Sequence, residues 1–395
     1  MGKPGTNVYV VGVGMTRFGI HVERDVRDLC EESFFEAMTD AGAYPDDIEA
    51  GYLGTVGFAW EAPIMSAPIA FEQVGVVGIP VTRVENACGS GTNAIREAWL
   101  SIRAGEYDVV MATGVETMNR PLQDQVTRFA QFGGGDSMLE GTLGLFPPGI
   151  FAMVTQQYLK AGWIERRDLA VVAVKNAYHG SMNPKAHFQR TLTIDQVLNA
   201  PMIAAPLGML DCCPTTDGAA AVVLCSEEAL PRFRKHAPIR IRTISQQSGD
   251  YCIHNPREFV ATTVGRAAQE AYKKSGTNPK DVHFVECHDC FTMAEIVHTH
   301  ELGFCSKEEV GKFIRDGNTQ LDGKIPFSPS GGLMSKGHPI GATGPGQYNE
   351  MVTQLRGEAG KRQVKNASLG LHENGGGFRH GDTGICSVSI LERAD

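Results

Sequence analysis

Short runs of Val and Ile bounded by Gly, Pro or charge alternate along the chain with stretches whose apolar residues recur three and four apart. Val8–Val13, Asp108–Thr113, Ala219–Leu224, Ile239–Thr243, Val282–Cys287 and Ile385–Leu391 show the first pattern and are predicted to be strands. Asp25–Ala41 and Gly265–Ser275 show the second and are predicted to be helices. This alternation predicts an α/β fold with helices on the sheet faces. From about Pro121 to Pro206 the pattern changes. Gly133-Gly134-Gly135, Pro147-Pro148 and Asn183-Pro184 punctuate a segment rich in Phe and Met, which reads as an irregular insertion lying over another part of the molecule. Regular alternation resumes near Cys212 and begins afresh at Pro238, after Arg232-Phe233-Arg234-Lys235-His236, so a boundary between two α/β halves is expected there. No residue-level repeat supports a duplication.

A chain of 395 residues has room for two or three structural units. Hydrophobic residues at 42% and charged residues at 21% are globular proportions that supply a large core. The formal net charge of -9, without long single-sign runs, argues against nucleic-acid binding and against a basic membrane anchor. An anionic substrate therefore needs local basic residues. Ten cysteines in this length are not a disulfide-dense pattern, and Met-Gly-Lys-Pro-Gly-Thr-Asn lacks the layout of a secretory signal, so the expected compartment is the reducing cytosol. No apolar run approaches the roughly 18–20 residues that span a bilayer. Arg393-Ala394-Asp395 is not a peroxisomal address.

Candidate chemistry gathers in three places. In Val84-Glu85-Asn86-Ala87-Cys88-Gly89-Ser90-Gly91-Thr92-Asn93, a Gly-rich turn precedes Ala94, Ile95, Ala98, Trp99 and Ile102 at helical spacing. Cys88 is thus expected at a helix N-terminus, where unpaired N–H groups and the helix dipole favour thiolate. The alternative is a buried structural cysteine. Glu286-Cys287-His288-Asp289-Cys290-Phe291-Thr292 follows an apolar run, placing ionisable groups at a strand tip, where open α/β sheets bind ligands. Its ligand types suit zinc, but residues so crowded on an extended strand do not all turn towards one ion, and no metal site is expected. In Ser328-Pro329-Ser330-Gly331-Gly332-Leu333-Met334-Ser335-Lys336-Gly337-His338-Pro339-Ile340-Gly341-Ala342-Thr343-Gly344, glycines and prolines make a rigid loop around one imidazole. It lacks the order of a phosphate-binding loop. His338 reads either as a site residue or as a satisfied structural one.

These segments carry a resemblance. Asn86-Ala87-Cys88-Gly89-Ser90-Gly91 resembles the nucleophile segment of thiolases, and Gly337-His338-Pro339-Ile340-Gly341-Ala342-Thr343-Gly344 is similar to their His loop. His288-Asp289-Cys290-Phe291 looks like the motif of the sterol-carrier-protein-2 type, where main-branch thiolases have Asn-Glu-Ala-Phe. Asp211-Cys212-Cys213-Pro214-Thr215-Thr216-Asp217-Gly218-Ala219 and Lys175-Asn176 with Asn183-Pro184 also look familial, and the similarity runs from about Val8 to Leu391. One departure supports the subtype: the C-terminal Cys-x-Gly loop of the main branch is here Leu371-His372-Glu373-Asn374-Gly375-Gly376-Gly377, with no Cys. Cys386 falls in a predicted strand and reads as packing.

The resemblance implies a layered α-β-α-β-α thiolase fold. Residues 1–120 and 207–237 would form the N-terminal half, 121–206 an inserted loop domain, and 238–395 the C-terminal half. It implies CoA-dependent cleavage or formation of a 3-oxoacyl-CoA through an acyl group on Cys88. His338 would activate Cys88, Cys290 would act as acid and base, His288 would donate to an oxyanion, and Gly377 or a neighbour would supply a backbone N–H. Arg128, Lys175, Lys185 and Arg190 are candidates for the CoA phosphates, with solvated surface as the alternative for each. Met153 and Ser330 are further substrate candidates. Phe129, Phe132, Met138, Phe146, Phe151, Met153 and Tyr158 are read either as core or as the lining of a bulky or aromatic acyl pocket. No tightly bound cofactor is expected, CoA being a co-substrate. A homodimer or tetramer is implied, and a specialised relative, such as one acting on benzoylsuccinyl-CoA, would work with a small OB-fold, zinc-ribbon subunit. A steroid side-chain aldolase and a non-catalytic scaffold are the remaining alternatives.

Overall fold

The computed structural model describes residues 3–57, 64–119, 140–141, 143–233, 235–249, 262–379 and 382–394. Its strands are β1 (Val8–Met15), β2 (Ala50–Gly54), β3 (Val81–Val84), β4 (Val109–Glu116), β5 (Met202–Ala204), β6 (Leu207–Gly208), β7 (Gly218–Ser226), β8 (Ile239–Ser248), β9 (Phe284–Glu286), β10 (Leu369–Arg379) and β11 (Asp382–Arg393). Its helices are α1 (Val26–Ala41), α2 (Ser66–Gln73), α3 (Ser90–Ala104), α4 (Pro147–Ala161), α5 (Arg166–Ser181) and α6 (Ile194–Leu198), followed by α7 (Thr262–Ser275), α8 (Thr292–Glu301), α9 (Val310–Arg315), α10 (Gly332–Lys336) and α11 (Thr343–Arg356).

Nine strands form one mixed sheet in the order β3-β2-β4-β7-β1-β8-β11-β10-β9. The two halves join where Val8–Val10 of β1 pairs antiparallel with Ile239–Ile241 of β8. On one face of the first half, Leu29, Phe34 and Met38 of α1 pack with Phe71 of α2. On the other, Ile95 and Trp99 of α3 meet Tyr348, Met351 and Leu355 of α11. Helix α11 also reaches β10 and β11 of the second half, whose far side is covered by Val264, Ala267 and Ala271 of α7. Helix and strand layers therefore alternate, α-β-α-β-α, with α3 and α11 in the middle. Along β4, Val109, Met111 and Val115 face α1 while Val110 and Ala112 face α3. Burial on both faces makes such a strand read as an unbroken apolar run.

Helix α1 begins where the Asp25 carboxylate accepts the N–H groups of Arg27 and Asp28, and ends at Gly42 in the left-handed region. No helix among the described residues is long and apolar enough to cross a membrane. Two segments differ from the sequence-based expectation. Much of the expected irregular insertion is helical, as α4, α5 and α6. The Gly-rich stretch expected as a loop, Leu371–Gly377, lies within β10, paired with β11 and, at Leu371 and His372, also with β9.

Candidate active site

Cys88 stands in a tight turn between β3 and α3. The turn is closed by Gly89 N–H to Asn86 O (2.9 Å) and Ser90 N–H to Ala87 O (3.1 Å), and Ala87 adopts φ 49. A left-handed Ala is strained, and the turn holds it because the Ser90 hydroxyl accepts from Asn86 N–H (2.9 Å) and donates to Ala87 O (2.6 Å). Helix α3 starts at Ser90, so Cys88 sits just ahead of it. Gly91 lets that helix approach the His338 loop: a Cβ there would lie 2.2 Å from the Gly341 carbonyl.

The backbone N–H groups of Gly377 and of Cys88 itself reach the Cys88 sulfur. Although Cys88 keeps part of its surface open, burial of the sulfur pushes the thiol up to about 12, outweighing those two N–H groups. Burial thus opposes the preference for thiolate that the helix terminus confers. Two backbone dipoles do not replace the lost hydration of an anion.

His338 is buried. Its backbone N–H donates to Thr216 Oγ1 (2.8 Å), and its Nδ1 lies 2.6 Å from Thr343 Oγ1. The Thr343 hydroxyl spends its own proton on Pro339 O (3.0 Å), so Nδ1 is the donor and the lone pair of neutral His338 is at Nε2. Burial lowers His338 to about 3, and the ring is neutral at physiological pH.

His288 has the opposite polarity. Its backbone N–H donates to Glu373 Oε2 (2.9 Å), and its Nδ1 is 2.8 Å from the Asn374 side-chain nitrogen, which can only donate. Neutral His288 therefore carries its proton on Nε2. Burial, followed by the neighbouring His338, lowers its basicity well below the usual range. The two rings meet edge to face with centroids 4.9 Å apart, and the Cys88 sulfur and one nitrogen from each ring lie within 4.8 Å of one another. By type the trio suits a soft divalent ion. The proton on His288 Nε2, however, makes one of the three a donor rather than a ligand.

Cys290 completes the cluster. Its carbonyl accepts from Cys213 N–H (3.0 Å), and burial, with Cys213 and Cys88 nearby, pushes its thiol well above the ordinary range. The adjoining Asp289 turns away: it accepts from Leu333 N–H (2.7 Å) and the Asn176 amide (2.6 Å). Burial and the neighbouring Glu295 raise its carboxyl to about 7. Cys287 contacts Ser328 Oγ at 3.6 Å, so the four residues 287–290 do not converge on one ion. Beyond Cys290, the Phe291 ring lies 4.4 Å from that of Phe151 on α4, which in turn lies 4.9 Å from Phe378.

The proposed phosphate ligands fare differently. Lys175 is buried, with its ammonium on Glu295 (2.6 Å) and on Phe327 O (2.9 Å), which corrects its assignment to CoA phosphate. Ser330 is likewise buried, its hydroxyl donating to Glu286 (2.8 Å), and offers nothing to substrate. Lys185 binds Glu36 (2.9 Å) and Met15 O (2.6 Å) while remaining partly open. Arg190 is exposed and lies over the Phe188 ring. Met153 is exposed on α4. Arg128, Phe129, Phe132 and Met138 lie outside the described residues. Sequence reasoning assigned no role to Thr92, Thr216, Thr343, Asn374 or Glu373, although all but Thr216 lie within the glycine-rich stretches around Cys88, His338 and Gly377.

Family models match in sequence order: the thiolase N-terminal domain over residues 8–228 and the thiolase C-terminal domain-like model over 245–389. An acetyl-CoA acetyltransferase of Methanothermobacter thermautotrophicus is 40% identical over 98% of this chain and 100% of its own length. Benzoylsuccinyl-CoA thiolase subunit BbsB of Thauera aromatica is 36% identical over 95% of this chain and 96% of its own. Sterol carrier protein 2 of Bos taurus is 32% identical over 93% of this chain and 69% of its own. The solved Ltp2-ChsH2(DUF35) aldolase superposes with TM-score 0.85 at 26% identity, covering 99% of this chain and 98% of that one.

Proposed function

The chain belongs to the thiolase family and is a CoA-dependent acyltransferase of the sterol-carrier-protein-2 type, and from that premise we propose how its own residues divide the work. Cys88 is the nucleophile. As its sulfur attacks the ketone carbon of a 3-oxoacyl-CoA, its proton passes to the lone pair on His338 Nε2. Charge on the former ketone oxygen meets the N–H groups of Gly377 and Cys88, which already point at the sulfur. The bond between the α and β carbons breaks, leaving an acyl-enzyme and an enolate of the departing thioester. His288 Nε2–H and the newly protonated His338 stabilise the enolate oxygen. Cys290 gives its proton to the α-carbon and becomes thiolate. It then takes the proton of an incoming CoA thiol, which attacks the acyl-enzyme. Cys88 leaves and recovers its proton from His338. In reverse, the same steps condense two thioesters.

The observation that supports this reading most is the approach of the Cys88 sulfur and two imidazole nitrogens to within 4.8 Å of one another. Incubation with acetyl-CoA or acetoacetyl-CoA followed by intact-protein mass spectrometry tests it: one acyl group is expected on Cys88 and none on Cys88→Ala. Absence of the adduct from wild type rejects the scheme. An aldolase using this fold would not need the Cys88–His338 pair.

The aromatic group Phe151, Phe291 and Phe378 beside Cys290 and Gly377 favours a bulky or aromatic acyl group. Two similar proteins, a thiolase subunit and an aldolase with a DUF35 component, favour a small OB-fold, zinc-ribbon partner. Activity on large 3-oxoacyl-CoA esters that rises when such a subunit is co-expressed would support both. Self-association as a homodimer or tetramer is consistent with β3, an edge strand that pairs only with β2 among the described residues. Nine free cysteines among the described residues favour a reducing, cytoplasmic setting.

A further inference from the structure

Asn374 occupies the centre of β10, almost fully buried, between two polar side chains distant in sequence. Thr92 Oγ1 donates to its amide oxygen (2.9 Å), and its amide nitrogen meets His288 Nδ1 (2.8 Å). The reversed amide would present NH2 to Thr92 and oxygen to His288. The Thr92 hydroxyl proton would then need a different acceptor, and among the described residues it has none besides Asn374. A buried hydroxyl left without an acceptor keeps the full penalty of its lost hydration, so the orientation is set from the Thr92 side.

We infer that Asn374 is a positioning residue that fixes the tautomer of His288. By donating to Nδ1 it confines the single proton of the neutral ring to Nε2, the nitrogen left for the site. Without that bond the ring is free to carry its proton on Nδ1, and Nε2 would then present a lone pair to a forming oxyanion and repel it. Burial makes the device useful. His288 is too weakly basic to serve as an imidazolium, so its donor capacity depends on which nitrogen holds the one proton it keeps. The neighbouring rings are thus set to opposite polarity: Thr343 leaves His338 with a lone pair at Nε2, and Asn374 leaves His288 with a proton there. This rests on the reading above in which His288 donates to the enolate oxygen.

Asn374→Asp tests it, since the carboxylate is nearly isosteric, still accepts from Thr92, and accepts from His288 where the amide donates. Neutral His288 must then take its proton on Nδ1. Loss of one oxyanion donor predicts a fall in kcat of about 10²–10³-fold with little change in KM. In the variant the adjoining carboxylate raises the basicity of the ring, and only the doubly protonated ring still donates from Nε2, so residual activity should fall as pH rises through the neutral range, a dependence absent from wild type. Thr92→Ser should keep wild-type behaviour, while Thr92→Val should lose part of kcat. On wild type itself, nitrogen-15 NMR of the His288 ring, assigned against His288→Asn, should show a protonated Nε2 and a bare Nδ1 throughout that range. This measurement holds even where Asn374→Asp folds poorly. A wild-type ring protonated on Nδ1, or an Asn374→Asp enzyme with unchanged kcat and pH profile, overturns the inference. A missing acyl adduct on Cys88 would overturn the catalytic scheme and leave the ring assignment standing, so the two failures are distinguishable.

Discussion

Thr343 receives the Nδ1 proton of His338 over 2.6 Å and passes its own to the Pro339 carbonyl, so one threonine decides where the lone pair of the catalytic base lies. Thr343→Val removes that acceptor at nearly constant volume. The ring then loses its preferred tautomer, and kcat should fall about 10–100-fold, part of the 10²–10⁴-fold that a positioned base contributes. Thr343→Ser should retain most of the activity. Steady-state kinetics of both variants, with KM little changed, checks this; a silent Thr343→Val would remove the threonine from the scheme.

The resting state of Cys88 makes a second prediction. Because burial pushes the thiol up to about 12 and His338 down to about 3, the pair rests as neutral thiol and neutral imidazole. An acid with a raised pKa gains thiolate steadily with pH until that pKa is reached. Alkylation of Cys88 by iodoacetamide should therefore rise about tenfold per pH unit between roughly pH 7 and 9, without a plateau. The Cys88 peptide followed by mass spectrometry reports it separately from the other thiols. A plateau near neutrality would mean that the N–H groups of Gly377 and Cys88 outweigh desolvation.

What could be read in advance followed physical cause. β1, β4 and β7 are buried on both faces, and their apolar runs announce them. β10 was hidden because His372, Glu373 and Asn374 followed by three glycines have no apolar period. They lie in a strand because distant groups satisfy them: Gln347 for His372, His288 N–H and the Cys386 thiol for Glu373, Thr92 for Asn374. Residue type pointed to Cys88, His288, Cys290 and His338. Tautomers could not be read, since they depend on contacts such as Thr92 to Asn374, 282 positions apart. Lys175 was misplaced for the same reason. Nothing near it in the chain reveals that Glu295 closes over it.

That burial has a measurable consequence. With both side chains of the Lys175–Glu295 pair almost wholly enclosed, Lys175→Met would leave a buried carboxylate without its cation. Breaking such a pair costs about 3–5 kcal/mol, and chemical denaturation should show a loss of that order. A lysine that bound CoA phosphate would give the reverse result: unchanged stability and a raised KM for CoA.

Acyl-chain selection is predicted at Phe151. Its ring is buried and contacts both Phe291, the neighbour of Cys290, and Phe378, the neighbour of Gly377. It therefore occupies space next to the groups that would hold the acyl-enzyme. Phe151→Ala removes a buried ring, which costs about 3–5 kcal/mol of stability, so Phe151→Leu is the safer probe where the alanine variant unfolds. Either change removes the aromatic face that Phe151 shares with Phe291 and Phe378. Because one methylene in a hydrophobic pocket shifts discrimination by roughly 10–200-fold at most, a ring-to-branch change should lower the kcat/KM ratio of a bulky 3-oxoacyl-CoA over acetoacetyl-CoA by about tenfold. Paired kinetics on the two esters measures the ratio directly and cancels losses of folded protein common to both. An unchanged ratio would move the acyl pocket away from α4, whereas a ratio shifted towards the bulky ester would mean that the Phe151 ring excludes a large acyl group rather than gripping it.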